Sequence, residues 1–377
     1  MTKYYYSCKE DKRLIEKSFY NIAYIIFGKK NVDKINTFRE FWEEMVSDVN
    51  VFPQGSVHDR INCNTPGVCR LDKETKKLKI EMLGYKGANN TQSSWIKHEG
   101  THEFCHSFVD LLPQIMSEHE GGIIKNGILC ENHMGMIKET NPLTGELVGH
   151  HYYGKMYNET MMDIISSIAI NYFDSSSNLK TVNDILNKHY KDWGNEKTGY
   201  SIFTSLTRLT IAAFSNVANP DYDAVIRSGY GIFDVKKKLK NGEMQYANDF
   251  LYGIIYNPLH IEEEFDKFMG NGYYRTFCEY LDKLFLTALD NQKLPSDDVK
   301  RVMNILPDFL NKKMNFYLKN NLMDLDVANQ IVSTFNRIWN SMQKEYGAYF
   351  SQKDIDDIAK RDGRKLELLK DEDKSSN

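Results

Sequence analysis

Cysteine is scarce in this chain, with six among 377 residues, too few and too scattered for a disulfide framework. Cys63 and Cys69 bracket a Pro-Gly turn and can close a small loop or bind metal, although thiols of this kind usually only pack. Long hydrophobic runs are also missing. Nothing approaches the roughly 20 apolar residues of a membrane span, and the longest early run, Ile22 to Phe27, is short and follows a charged segment. The opening residues, Met1 to Arg13, lack the hydrophobic core of a signal peptide, so the expectation is a cytoplasmic protein without a membrane partner. An excess of one charge sign is lacking too: the net charge is −4 and the pI near 6.2, with lysines scattered among acids. No basic field exists to draw in nucleic acid. No internal repeat is evident.

What is present is enough apolar material, 41% of residues, to bury a full core in one two-lobed unit or two domains. Apolar positions recur at helical spacing over residues 10–28 and 34–48, the latter through Ile35, Phe38, Phe41, Trp42 and Met45. Residues 67–83 change period: Gly67 to Asp72, a Lys-Glu-Thr-Lys turn, then alternation over Leu78-Lys79-Ile80-Glu81-Met82 predicts a hairpin. Residues 84–94 end its second strand and offer Thr91, Ser93 and Ser94 as N-caps.

Residues 111–155, rich in Gly, Asn and His, read as a long loop, a length that is usually functional or disordered. His151, Tyr152 and Tyr153 in it are candidates to donate to an oxyanion. From 157 onward the pattern is helical: 157–172, 180–193, 199–215, 260–269, 273–289, 297–319, 324–346 and 352–361, punctuated by Pro220, Pro258, Pro295 and Pro307. The stripe Tyr273, Phe277, Tyr280, Leu284 reads as core. Isolated His58, His189 and His260 read as surface or satisfied residues.

The most informative segment is His98-Glu99-Gly100-Thr101-His102-Glu103-Phe104-Cys105-His106, which holds two overlapping His-Glu-x-x-His motifs. Histidines four apart share one face of a helix, so both imidazoles can reach one zinc ion while the intervening Glu stands beside it as a base. The two registers share His102 and therefore compete. The first, His98 and His102 with Glu99, has Lys97 and Glu103 at its ends and Gly100 inside, leaving charges in need of partners on a helix that must be largely buried. The second, His102 and His106 with Glu103, is flanked by uncharged Thr101, Phe104, Cys105, Ser107 and Phe108, with two Phe four apart able to pack inward. The second register is favoured. His98, one turn before His102, is then a candidate to support a ligand or face the substrate. Cys105 points away from both ligands and reads as packing.

Thr101-His102-Glu103-Phe104-Cys105-His106-Ser107-Phe108-Val109 resembles the His-Glu-Phe-x-His-Ser-Phe-Val signature of uncharacterised prokaryotic zinc metallopeptidases, and more broadly the gluzincin clan. The resemblance spans roughly residues 77–172. It implies a third ligand from an Asn-Glu-x-x-x-Asp pattern, here Asn158-Glu159-Thr160-Met161-Met162-Asp163, so that Glu159 joins His102 and His106 on Zn2+ and Glu103 acts as the base in peptide hydrolysis. Asp163, one turn beyond Glu159, can accept from a ligand imidazole. The interval from His106 to Glu159 is longer than in thermolysin-like members, Thr160 and Met161 replace the usual small residues, and His133, His150 and His151 are rival third ligands. A metzincin pattern fails, since its Gly and His would fall at Val109 and Leu112.

The fold implied is α+β: a zincin-like metal-binding lobe over 1–175 with a small mixed sheet, an α-helical lobe over 176–361, and a charged tail over 362–377. Zinc peptidases generally place a substrate-docking sheet edge shortly before the zinc helix, which here points to the strand at 78–82. The function expected is zinc-dependent cleavage of a peptide or protein substrate. Two plainer readings accompany it: a zinc-binding pseudo-peptidase without turnover, and a helical interaction scaffold in which the motif only decorates a helix.

Overall fold

The computed structural model describes residues 3–5, 9–53, 67–71, 77–84, 100–112, 128–131, 136–140, 147–152, 154–173, 181–195, 200–289 and 296–346. They are mostly helical with a small mixed sheet, an α+β chain that divides into two compact units: Met1–His189 with Tyr222–Phe233, and Tyr190–Asp221 with Asp234–Asn377. Among the described residues, no helix is long and apolar enough to cross a membrane. The segments expected as a helix over 352–361 and a tail over 362–377, and His58, Cys63, His98 and His133, lie outside the described residues.

In the first unit, β1 (Lys3–Tyr5), β2 (Val46–Pro53), β3 (Gly67–Leu71) and β4 (Leu78–Gly84) form a sheet in the order β1-β2-β4-β3. β1, β2 and β4 run parallel, and β3 closes one side antiparallel to β4, pairing Cys69 with Ile80 and Leu71 with Leu78. The 67–83 hairpin is therefore present, but among the described strands the edge belongs to its first strand: β4 lies between β2 and β3. Its burial agrees, since Ile80, Glu81 and Met82, on alternating faces, are all covered. Between β1 and β2 run α1 (Lys9–Ile26) and α2 (Val32–Met45). The expected helix to residue 48 stops at 45, where Val46, Val49 and Val51 turn inward on β2 instead.

Helix α3, residues 100–112, is buried along its whole length. Its Phe108 ring lies 4.6 Å from Phe38 and 5.0 Å from Phe19, and Phe104 stacks on Trp42 at 5.3 Å. The Trp42 indole donates to Ser107 Oγ (2.8 Å), and the Ser18 and Thr101 hydroxyls bond at 2.7 Å, so the polar atoms on this face are paired inside the core.

Residues 111–155 are not one loop. α3 runs on to 112, and β5 (Ile128–Glu131), β6 (Met136–Thr140) and β7 (Leu147–Tyr152) form an antiparallel sheet with a bulge between Glu139 and Thr140. Its strands are too short, and too interrupted by polar residues and Gly149, to show a period in sequence. From β7 the chain turns at Gly154, whose φ of 87° suits a residue without a Cβ, into α4 (Lys155–Tyr172). α4 packs along α1, where the Asn21 amide donates to Ala169 O at 3.0 Å.

The remaining helices are α5 (Val182–Asn195), α6 (Tyr200–Ala213), α7 (Tyr222–Arg227), α8 (Asp249–Tyr256), α9 (Pro258–Met269), α10 (Tyr273–Leu289), α11 (Ser296–Lys319) and α12 (Leu325–Tyr346), with a β8 (Lys236–Lys238) and β9 (Met244–Tyr246) hairpin. α7, α8 and the hairpin were not expected. On α10 the expected core stripe is shifted: Phe277 and Leu284 are buried, but so are Tyr274, Leu281 and Phe285, while Tyr273 is exposed.

The second unit encloses a polar knot. Asp249, 1% exposed at the start of α8, receives the Asn216 amide (2.6 Å) on Oδ2 and faces His260 Nε2 (3.0 Å) through Oδ1. Lys313 of α11, 0% exposed, approaches the same Oδ2 at 3.8 Å and donates to Ser215 O at 3.3 Å. Burial lowers the Lys313 pKa, and Asp249 opposes that shift. His260 is thus a satisfied histidine rather than a surface one. Removing one member of a buried pair strands the other charge at a cost of about 3–5 kcal/mol. Asp249→Ala is therefore expected to lose stability of that order in urea unfolding, and Asp249→Ala with Lys313→Met to regain more than half of it.

Candidate metal centre

His102 and His106 lie one turn apart on α3, and their imidazoles meet Glu159 of α4. His102 Nε2 is 3.0 Å from His106 Nε2 and 3.6 Å from Glu159 Oε2, and His106 Nε2 is 3.7 Å from the same oxygen. Among the described residues, these three form the group of side chains able to hold a metal ion. A tetrahedral ion with bonds of about 2.0–2.1 Å separates its ligand atoms by about 3.3 Å, so the triangle has the right size. Of the rival ligands, His150 and His151 stand on β7, and His133 lies outside the described residues.

Asp163 fixes one imidazole. Its Oδ1 lies 2.8 Å from His102 Nδ1, so Nδ1 donates to the carboxylate and Nε2 is the ring atom turned toward Glu159 and His106. Burial alone would lower the His102 pKa; the Asp163 carboxylate and the bond to it, aided by Glu159 and Glu103, raise it well above its usual value. For Glu159, burial pushes upward but the two imidazoles outweigh it and hold the carboxyl well below its usual range. Two imidazole nitrogens and a carboxylate oxygen that converge within 4 Å inside a protein are balanced by positive charge, whether protons on the rings or an ion between them. The donor set fits a cation, and two imidazoles with one carboxylate suit zinc among others.

The flanking helix accommodates what the sequence pattern made doubtful. Thr160 and Met161, bulkier than the usual residues, are 0% exposed, and the Thr160 hydroxyl is satisfied by Met156 O at 2.8 Å. Met162, Ile165 and Ile168 are buried as well. Because α4 begins at Lys155, Glu159 stands in its second turn rather than its first.

Glu103 is 5% exposed. Burial raises its pKa, with Glu159 adding to the shift, while His106, His102 and a hydrogen bond donated by the Cys69 backbone N–H oppose it; the net direction is upward. A Cβ on Gly67 would meet Glu103 Cγ at 2.7 Å and Oε1 at 2.8 Å. Sequence reading missed this contact from β3; the only signal was a Gly opening a predicted strand. Asp110, one turn beyond His106, is also buried. Cys69 and Cys105 are buried free thiols pushed upward by burial, then by Asp110 and Glu103 for Cys69 and by Asp163 and Glu103 for Cys105. Neither is prepared as a nucleophile.

Comparison with protein-family models, with curated proteins and with solved structures finds no match.

His106→Ala is expected to lose most bound metal, because two ligands rarely suffice, and His98→Ala to retain it; elemental analysis of the purified variants reads both. Asp163→Asn should weaken metal affinity by about 10–100-fold in competition with a chelating dye, since the imidazole loses its oriented acceptor.

Proposed function

We propose that this chain is a zinc-dependent peptidase of gluzincin type, with His102, His106 and Glu159 as ligands. The observation that carries the reading is the meeting of those three side chains, from two buried helices, with Asp163 behind one imidazole and Glu103 beside both. A zinc ion held there would supply Lewis acidity, acidifying a water toward a pKa of about 7 and polarising a scissile carbonyl.

The chain's own residues account for the rest. Glu103 accepts the proton of the attacking water and passes it to the leaving amine, a task that favours a carboxyl whose pKa burial has moved toward neutrality. Asp163 keeps His102 in the tautomer whose Nε2 lone pair faces inward. An extended peptide substrate fits the edge strand β3, which among the described strands pairs with β4 alone and so offers main-chain groups for strand addition. β3 also borders Glu103, so a peptide docked there is brought beside the base.

Glu103→Gln is expected to keep metal and melting temperature while cutting hydrolysis of a mixed peptide library by at least about a hundredfold. Full activity in this variant would overturn the base assignment. A wild-type protein that binds zinc stoichiometrically and cleaves no peptide would replace the peptidase by a zinc-binding pseudo-peptidase, and absence of stoichiometric metal would leave a helical scaffold.

A further inference from the structure

We infer that Gly67 and the backbone N–H of Cys69 position the Glu103 carboxylate, making β3 a clamp on the base as well as a sheet edge. The role of Glu103 as base rests on the function proposed above; the clamp itself does not.

Two independent contacts carry the inference. The Cys69 N–H donates to the carboxylate and so points away from β4, the strand that β3 pairs with among the described residues. Two residues earlier, on the same face of the strand, Gly67 presents no side chain where the Glu103 Cγ and Oε1 pass: a Cβ there would lie 2.7 and 2.8 Å away, and 3.1 Å from Cδ. Those distances are shorter than a Cβ allows unless Glu103 moves. The atoms that would be struck belong to the Glu103 side chain and not to backbone. The fold can therefore absorb a methyl at Gly67, but only by swinging the carboxylate off the Cys69 N–H.

The need for such a clamp follows from the side chain. Glu has three rotatable bonds and loses much rotamer freedom when held in one place. A general base must nevertheless stay within about 2.6–3.2 Å of the proton it takes. Its neighbours His102, His106 and Glu159 turn their polar atoms toward one another, so among the groups acting on Glu103 it is the Cys69 N–H that offers a neutral, directional donor. One consequence concerns the substrate: a peptide adding to β3 finds that N–H already engaged and must pair through the main-chain groups on either side of it.

The test is amide exchange of the full-length protein followed residue by residue. In the wild type the Cys69 amide should be protected although it is directed away from β4. It should exchange at least about tenfold faster in Glu103→Ala, the loss expected for one charge-assisted bond. Gly67→Ala should accelerate it similarly while leaving metal content and the melting midpoint close to wild type. An equal Cys69 rate in wild type and both variants overturns the clamp, whether or not the protein cleaves peptides. On peptide substrate, Gly67→Ala should lower kcat at least about tenfold with KM nearly unchanged, and Gly67→Ala in a Glu103→Gln background should add no further loss, because both changes act through one group. Protection of Cys69 in a protein that cleaves nothing would support the clamp and remove only the peptidase reading. A kcat loss from Gly67→Ala that persists undiminished beside Glu103→Gln would show that Gly67 acts by another route and overturn its assignment.

Discussion

Four ionisable side chains, His102, Glu103, His106 and Asp110, project from a helix that is buried from residue 100 to residue 112, and the cost of removing such groups from water is several kcal/mol per charge unless partners meet them. The surrounding elements can be understood as responses to that constraint. α4 lays Asp163 against one imidazole and Glu159 between two. β3 turns an N–H toward Glu103 and omits a side chain where the carboxylate lies. The opposite face carries no charge and is held by Phe104 and Phe108 among Trp42, Phe38 and Phe19. Polar and apolar contacts thus fix both the rotation and the depth of the helix.

The second unit solves a similar problem differently. Asp249 is as deeply buried, but each of its oxygens meets an opposing group: an imidazole on one, an amide and an ammonium on the other. Charge is neutralised by the protein itself, and the result is a structural tie among α8, α9, α11 and the residues after α6. Around His102, His106 and Glu159, Nε2 of each imidazole and Oε2 of the carboxylate converge on one gap, with Asp163 bonded to the far side of one ring. Such a set is balanced only by a cation or by protons. The contrast in donor inventory, more than depth of burial, separates a site from a strut.

The local features were legible in sequence because they depend on spacing alone. The preferred register of His102 and His106 followed from uncharged flanks, the inward Phe pair from an interval of four, and Asp163 from its place one turn beyond Glu159. Glu159 itself came from a resemblance, since nothing near it in sequence points toward His106. Features set by distant partners were not legible. The hairpin at 67–83 showed its alternation, yet which strand would be the edge depended on β2 pairing with β4, and β2 was hidden beneath the end of a helical pattern. α8, buried over its whole length, has no polar face and hence no helical stripe. His260 looked solitary because its partner stands eleven positions away on another helix.

Glu103 joins these scales. A carboxyl suited to proton transfer near neutral pH is obtained most simply by burial, but burial without a bonded partner leaves its position undefined as well as its charge unsatisfied. A donor too strong would lower the pKa again; a neutral backbone N–H opposes the upward shift without abolishing it, as the net direction at Glu103 indicates. On the function proposed above, because that N–H comes from β3, orientation of the base and docking of an extended substrate would depend on the same few residues of backbone. A displacement of β3 by a poorly fitting peptide would then misplace the base together with the peptide, so that selection for fit and commitment to reaction become a single geometric requirement.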